Sequence, residues 1–560
     1  METIPQILEH SVRTFADRTA LVGGQAGGEA YTYRRLGAAA VALAERLIAR
    51  SVRKGTHVAF LCENRPEWAV GYFAVHLAGA VLVPLDGHLT AAELRAILHR
   101  DRAPLLLSSR PCMALAGEAT DGMAGIELAV LEDLLAAPPG RAAEAAPTPV
   151  GREVLPADTA VITFTSGTTS DSKGIVLTHR NIASNAAASA RKMDIRADDR
   201  LVSILPLSHL FEQTGGMLTP LLCGASVAYP GSLNPRAVIE TMSHTRATLA
   251  LVVPAVARLF RKRILSEVQS APAWRRGLFR AGMAASRLAR RAGATLGRRL
   301  FAEVHEAFGG HVRFFVSGGG PLDDELAAFF MDLGLPVLQG YGLVEAAPVV
   351  ACNTVDDHVI GSVGRPLPGV EVRIDPVDSA GDGVGDGVGE ILIRGPNVMA
   401  GYYRNAEATA ETLQDGWLRT GDIGRIDRRG YLYVVGRIKD VIVGESGKNV
   451  YPAEIEQRIG ECPCVREVCV LGVRPDNEAD PSEQVAALVV PNEETLGGKY
   501  LPQHEEAIRR EVRKACIHLA GYKRPRYFAV WPGELPRTTT MKVKKHQVRK
   551  DLRAVRLKRL

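Results

Sequence analysis

The chain has 560 residues, too many for one hydrophobic core, so two or more domains are expected. Hydrophobic residues make up 46% and charged residues 23%, which excludes extensive disorder. A formal charge of +6 is too small over this length to mark a nucleic-acid binder, and eight cysteines without a framework spacing point to a reducing cytosol.

The opening METIPQILEHSVRTFADRTALV carries acidic residues where a secretory leader needs an apolar core. The apolar stretch 73–85 contains His76 and falls short of the ~20 residues that cross a bilayer. A cytoplasmic protein is expected. From residue 32 to 85, amphipathic LGAAAVALAERLIARSV alternates with the apolar runs HVAFLC and AVLVPL, which predicts βα units on a parallel sheet. Residues 136–156 are rich in Ala, Pro and Glu and read as a surface connection. A second set of βα units covers 159–350: VITFT, LVSIL, ASVAYP, ATLALVV, VRFFVSG and LPVLQGYG.

After Gly361 the segments VEVRI, GEILIRG and GYLYVVGRI are short and β-rich. Between two of them, GDGVGDGVGE resembles a glycine-rich binding loop, but its Asp-Gly pairs are a hairpin signal. From about residue 441 a smaller unit mixes helices (EIEQRI, HEEAIRREVRKACIHL) with strands (REVCVLGV, QVAALVV). Its Cys462, Cys464 and Cys469 fit no zinc spacing and read as small buried hydrophobes.

The densest local signal is TSGTTSDSKG, residues 165–174, directly after VITF. Its glycines let backbone N–H groups approach a polyanion, its hydroxyls add donors, and Lys173 adds charge. The spacing is not that of a Walker A loop.

In chain order, this loop is joined by PLSHLFEQTGG, SGGGPL, QGYGLVE, GWLRTGDIG, GRIKD, ESGKNVYPAEIE and LPRTTTMKVKK. The set resembles the adenylate-forming superfamily of acyl-CoA synthetases, luciferases and peptide-synthetase adenylation domains, and within it the long-chain fatty acid–CoA ligases. The resemblance covers nearly the whole chain. It implies an α/β fold: a large N-terminal domain, 1–438, of two βαβ-type subdomains plus a small β-barrel, then a small mobile α+β domain, 439–560. The implied activity converts a fatty acid and ATP to acyl-AMP and pyrophosphate, then passes the acyl group to coenzyme A.

The resemblance also assigns roles. Thr165, Ser166, Gly167, Thr168, Thr169 and Lys173 would hold the phosphates of ATP. Gly318, Gly319, Gly320, Gln339, Gly340, Tyr341 and Gly342 would surround adenine, with Tyr341 against its face. Asp422 would accept from the ribose hydroxyls, and Arg437 would reach ribose and phosphate. Glu345 with Thr168 would hold Mg²⁺. Lys542 would stabilise the charge that develops as the carboxylate attacks the α-phosphate. Lys439 matches the hinge, and Gly444, Ser446, Gly447 and Lys448 would line the pantetheine entry. His209 would stand between the acyl carboxylate and the CoA tunnel; a packed helix histidine is the other reading.

Four positions depart from the family pattern. Val344 replaces a threonine that contacts the α-phosphate, Ser170 and Ser172 replace a glycine and a proline, and Met541 replaces the glycine before Lys542. An active but slow or specialised enzyme is expected. Two alternatives stand beside it: a fatty acyl-AMP ligase that loads a carrier protein, and a non-catalytic nucleotide- or acyl-binding relative. A homodimer is left open.

Leu210 and Phe211 lack the aspartate that amino-acid-activating relatives use, so an amino acid substrate is not expected. Residues 258–300 are helical in pattern and rich in arginine, with Leu259, Phe260, Trp274, Leu278 and Phe279 interleaved. This segment is either a solvated helical hairpin or a peripheral contact with anionic lipid at the inner face of the membrane.

Overall fold

The computed structural model describes residues 1–23, 29–136, 153–164, 173–376, 387–443, 449–474, 483–537, 543–552 and 555–560. Outside them lie Thr165, Ser166, Gly167, Thr168, Thr169, Ser170, Ser172, Gly444, Ser446, Gly447, Lys448, Met541 and Lys542. Most of the 136–156 connection and of the GDGVGDGVGE turn also falls outside.

Two largely parallel sheets carry the first of two units, Met1–Glu371 with Ile393–Leu418. In the seven-stranded sheet, Thr159–Phe164, Val81–Leu85, His57–Leu61, Leu105–Ser108 and Glu127–Val130 lie side by side and parallel. Parallel neighbours need a helical crossover, and strands covered on both faces are apolar throughout, which is the alternation seen from 32 to 85. Val81–Leu85 is accordingly buried at every residue.

The apolar stretch 73–85 is two elements. Helix Pro66–Leu77 ends within it, and strand Val81–Leu85 follows a left-handed Gly79. Every residue of that helix is buried, as expected of a helix apolar all round. His76 lies between the Tyr72 and Ala160 carbonyls at 2.7 and 3.2 Å, and burial pushes its imidazole down to about 4. It is a neutral core residue at physiological pH.

In the nine-stranded sheet, Val337–Gly342, Phe314–Ser317, Leu249–Val252, Arg200–Val202, Ser226–Tyr229 and Thr19–Gly23 run parallel in that order. Their carboxyl ends share one edge, where ligands bind in sheets of this type. SGGG and LVE leave the ends of two adjacent strands there, and PLSHLFEQ follows a third.

The second unit is Val372–Leu392 with Arg419–Leu560. Strand Leu432–Arg437 pairs antiparallel with Trp417–Ile426 in a small sheet. Beyond it, Val465–Val473, Gln484–Pro491, Tyr527–Val530 and Lys558–Arg559 form a four-stranded sheet. Helices Pro452–Gly460 and Glu505–Ala515 cover a core built on Ile455, Ile459, Val485, Ile508 and Phe528. Cys462 belongs to that core and Cys469 to a second apolar cluster on the same sheet. The chain is thus α/β, with a large N-terminal part and a smaller α+β part. The 438/439 division falls inside the second unit. Among the described residues, no helix is long and apolar enough to cross a membrane.

Candidate active site

The segment 165–172 is framed by an antiparallel strand pair, Thr159–Phe164 with Gly174–Thr178, in which Phe164 faces Gly174. The helix His179–Met193 begins only after the second strand.

The strand Gly174–Thr178 also pairs with Gly401–Tyr402, setting Tyr402 opposite Ile175. This register brings Tyr402 beside Lys173, whose Nζ lies 4.7 Å from the ring centroid. The Tyr402 hydroxyl donates to Glu345 Oε1 at 3.3 Å. Burial first, and the nearby Glu345 charge second, push the Tyr402 phenol up to about 12, so it stays a donor. Glu345 sits on the short turn Val344–Ala346, and its carbonyl accepts from the Met399 N–H at 2.8 Å. Asn181 holds the neighbouring carbonyls of Pro396 and Val398 at 2.8 and 2.7 Å. One predicted phosphate ligand and the predicted metal ligand thus share a tyrosine that sequence reasoning missed. The signal was the aromatic pair of GYYR, whose partners lie far off in sequence.

A half-buried carboxylate tethered by a phenol suits Mg²⁺, which takes one or two carboxylates alongside phosphate oxygens. Replacing Tyr402 by Phe keeps the ring and removes the donor to a charged group. AMP formation should fall about tenfold and the Mg²⁺ requirement should rise, read from initial rates across a Mg²⁺ titration.

Tyr341 is half-buried on strand Val337–Gly342, opposite Ala351. The Gln339 carbonyl accepts from Asn353 N–H at 3.0 Å and from its Nδ2 at 3.2 Å, fixing the strand that carries the tyrosine. Gly342 has no room for a side chain, since a Cβ would stand 2.0 Å from the Pro348 carbonyl oxygen. At Gly318 a Cβ would meet the Phe211 ring at 2.8 Å, and Gly319 adopts φ +79°. Val344 is half-buried beside Glu345 and offers no hydroxyl.

His209 Nε2 lies 3.3 Å from Asp86 Oδ2, at the end of strand Val81–Leu85. The imidazole is partly exposed and not packed away, and Asp86 is a second residue that sequence reasoning missed. Close by in sequence, Phe211 joins Ala255, Val256 and Val316 in packing on the buried Leu205, Leu251 and Val253.

Glu212 follows on a π-helical turn, Glu212–Leu218, and is fully buried. A Cβ on Gly216 would stand 2.5 Å from its carboxyl group, which explains that glycine. Among the described residues, no hydrogen bond of good geometry reaches either carboxyl oxygen. Burial pushes the acid up to about 8, with Ser203 and the Leu205 N–H only softening the rise.

In the second unit, Asp422 faces Arg437 across the antiparallel pair. Arg437 Nε donates to Asp422 Oδ1 at 2.8 Å, and the Asp422 N–H donates to Thr420 Oγ1 at 3.0 Å. The aspartate is buried and the arginine exposed, so the pair offers a fixed acceptor beside an accessible guanidinium. Lys439 is exposed on the turn Ile438–Asp440.

Residues 8–403 match the family model of the AMP-binding enzymes, and residues 454–542 match that of the AMP-binding enzyme C-terminal domain. The feruloyl-CoA synthase of an Amycolatopsis species is 33% identical over 529 residues, covering 94% of each chain. A long-chain-fatty-acid–CoA ligase of Mycobacterium tuberculosis is 31% identical over 480 residues, 81% of this chain and 76% of that one. The solved fatty acyl CoA synthetase of Mycobacterium tuberculosis has a TM-score of 0.69 at 27% identity, over 99% of both chains. The chain belongs to the AMP-binding enzyme family. It is an acyl-CoA ligase that works through an acyl adenylate, with ATP and Mg²⁺ as cofactors and coenzyme A as co-substrate.

Proposed function

We propose that the acid is a long-chain fatty acid. The observation that supports this reading is the apolar cluster of Leu205, Leu251 and Val253 with Phe211, two residues beyond His209, and no carboxylate at 210 or 211 to receive an amine. In the first half-reaction the fatty carboxylate attacks the α-phosphate of ATP and pyrophosphate leaves. Lys173 would hold the phosphates, Glu345 would hold Mg²⁺ with Tyr402 orienting it, and Lys542 would stabilise the attack. When bound, Mg²⁺ neutralises phosphate charge. In the second half-reaction the CoA thiolate displaces AMP, with His209, steadied by Asp86, beside the acyl carbonyl. The C-terminal domain, 439–560, would turn about Lys439 to present Lys542 first and the 444–448 loop next. Asp422 and Arg437 would take the ribose.

A ring-bearing acid is the second reading, favoured by the similarity to a feruloyl-CoA synthase over 94% of the chain. AMP release should be followed for saturated acids of graded length and for hydroxycinnamic acids, with and without CoA. Rates that rise with chain length and require CoA support the first reading. A hydroxycinnamic optimum supports the second. Acyl-AMP formation that CoA leaves unchanged would favour a carrier-protein acceptor.

A further inference from the structure

The basic segment is a pair of helices, Pro254–Ser270 and Ala273–Arg291. Of the apolar residues interleaved there, Phe260 is buried and Phe279 packs its edge on Phe301 with centroids 5.2 Å apart. These two hold the hairpin to the body and are unavailable to a partner. Met283 joins the same core. Arg287 and Arg290 both reach the fully buried Asp332, at 3.0 and 2.9 Å, so this face of the second helix is pinned by charge as well as packing.

The opposite face is different. Trp274, Leu278 and Leu288 are 66, 66 and 69% exposed. Ala281, Ala285 and Ala292 are exposed as well. Their spacing of four and three residues places all six on one line along the helix. Arg280 and Arg291 flank that line on one side and Arg275 on the other, and the helix contains no Asp or Glu. Large apolar side chains held in water along a continuous line are unfavourable unless something covers them.

We propose that helix Ala273–Arg291 lies in the interface of an anionic membrane, with Trp274, Leu278 and Leu288 entering the acyl boundary and the flanking arginines on lipid phosphates. Charge chooses this occupant. Arg287 and Arg290 are held by Asp332, and Arg275 lies 3.9 Å from Glu303, so Arg280 and Arg291 are the arginines beside the line with no carboxylate partner among the described residues. A second copy would set this positive flank against its like, whereas an anionic surface meets it with opposite charge. Tryptophan is also the side chain best suited to the headgroup level. The device would hold the enzyme where an apolar acid is dissolved, and it does not depend on which acid is activated.

The test is binding of the full-length protein to phosphatidylglycerol–phosphatidylcholine vesicles against pure phosphatidylcholine, by co-sedimentation and tryptophan emission. Trp68 and Trp531 are buried and Trp417 is half-buried, so Trp274 should dominate a blue shift on binding. Partitioning is expected only with the anionic lipid and should weaken as salt rises. It should fall about tenfold in L278A/L288A. In R280E/R291E it should fall about thirtyfold or more. Unchanged AMP formation from a water-soluble acid would show that both variants are folded. The proposal is overturned if wild type ignores the anionic vesicles at low salt, or if both variants bind as well as wild type. It is equally overturned if L278A/L288A abolishes a dimer seen by light scattering while lipid binding is absent.

Discussion

Lys542→Ala should lower acid-dependent pyrophosphate release by about two to three orders of magnitude, the usual effect of removing one preorganised charge from a developing anion. The attack joins a carboxylate to a phosphate, so a positive group contributes most where the two anions meet. Hydrolysis or CoA capture of acyl-AMP supplied ready-made should survive, because the acyl–phosphate bond is then already formed and no carboxylate has to be brought to the α-phosphate. Lys545 provides the control. It is largely buried, with Nζ 2.8 Å from Glu456 and 3.3 Å from the Val470 carbonyl, and Glu456 holds its ammonium above the usual lysine range despite burial. Lys545→Ala should therefore lower the unfolding temperature and depress both half-reactions together. Equal loss of both half-reactions in Lys542→Ala would assign that lysine to structure as well.

Glu212→Gln should stabilise the protein, and by more as the pH rises. The buried acid takes up a proton on folding that the unfolded chain has released, throughout the window between the ordinary glutamate range and about 8. Across that window, wild type loses about 1.4 kcal/mol of stability for each pH unit, and a glutamine loses none. The variant's advantage in denaturant unfolding should thus grow by about 3 kcal/mol between about pH 5 and pH 7.5. A constant advantage at both pH values would mean that the folded carboxyl is ionised. Glu212→Ala would instead open a void beneath Gly216, so its effect mixes cavity and charge.

The candidate site was named from short local motifs, TSGTTSDSKG, SGGG and QGYGLVE, whose roles come from the family resemblance; residues 165–172 of the first lie outside the described residues. The parallel sheets followed from alternating helices and apolar runs. What escaped was long-range pairing. Tyr402 meets Glu345 across 57 positions, and its neighbour Lys173 lies farther still. Asp86 reaches His209 through the junction of strand Val81–Leu85 with a segment that follows a different sheet. Within stretch 73–85 a core helix and a core strand are equally apolar, and Gly79 marks the break between them. In the basic hairpin, Phe279 and Leu278 are adjacent in sequence and opposite in fate. Only the helix phase, fixed by Asp332 beneath Arg287 and Arg290, tells them apart.

The position of Tyr402 has one more consequence. An ammonium and a carboxylate in a shared cleft tend to collapse onto each other, and a ligand must then pull them apart before using either. Here the ammonium of Lys173 rests on the face of an aromatic ring whose rim hydroxyl engages Glu345. The ring works as a spacer. If Lys173 takes the polyphosphate and Glu345 its metal, as proposed, the two ligands would meet charges carried on the face and on the rim of one ring.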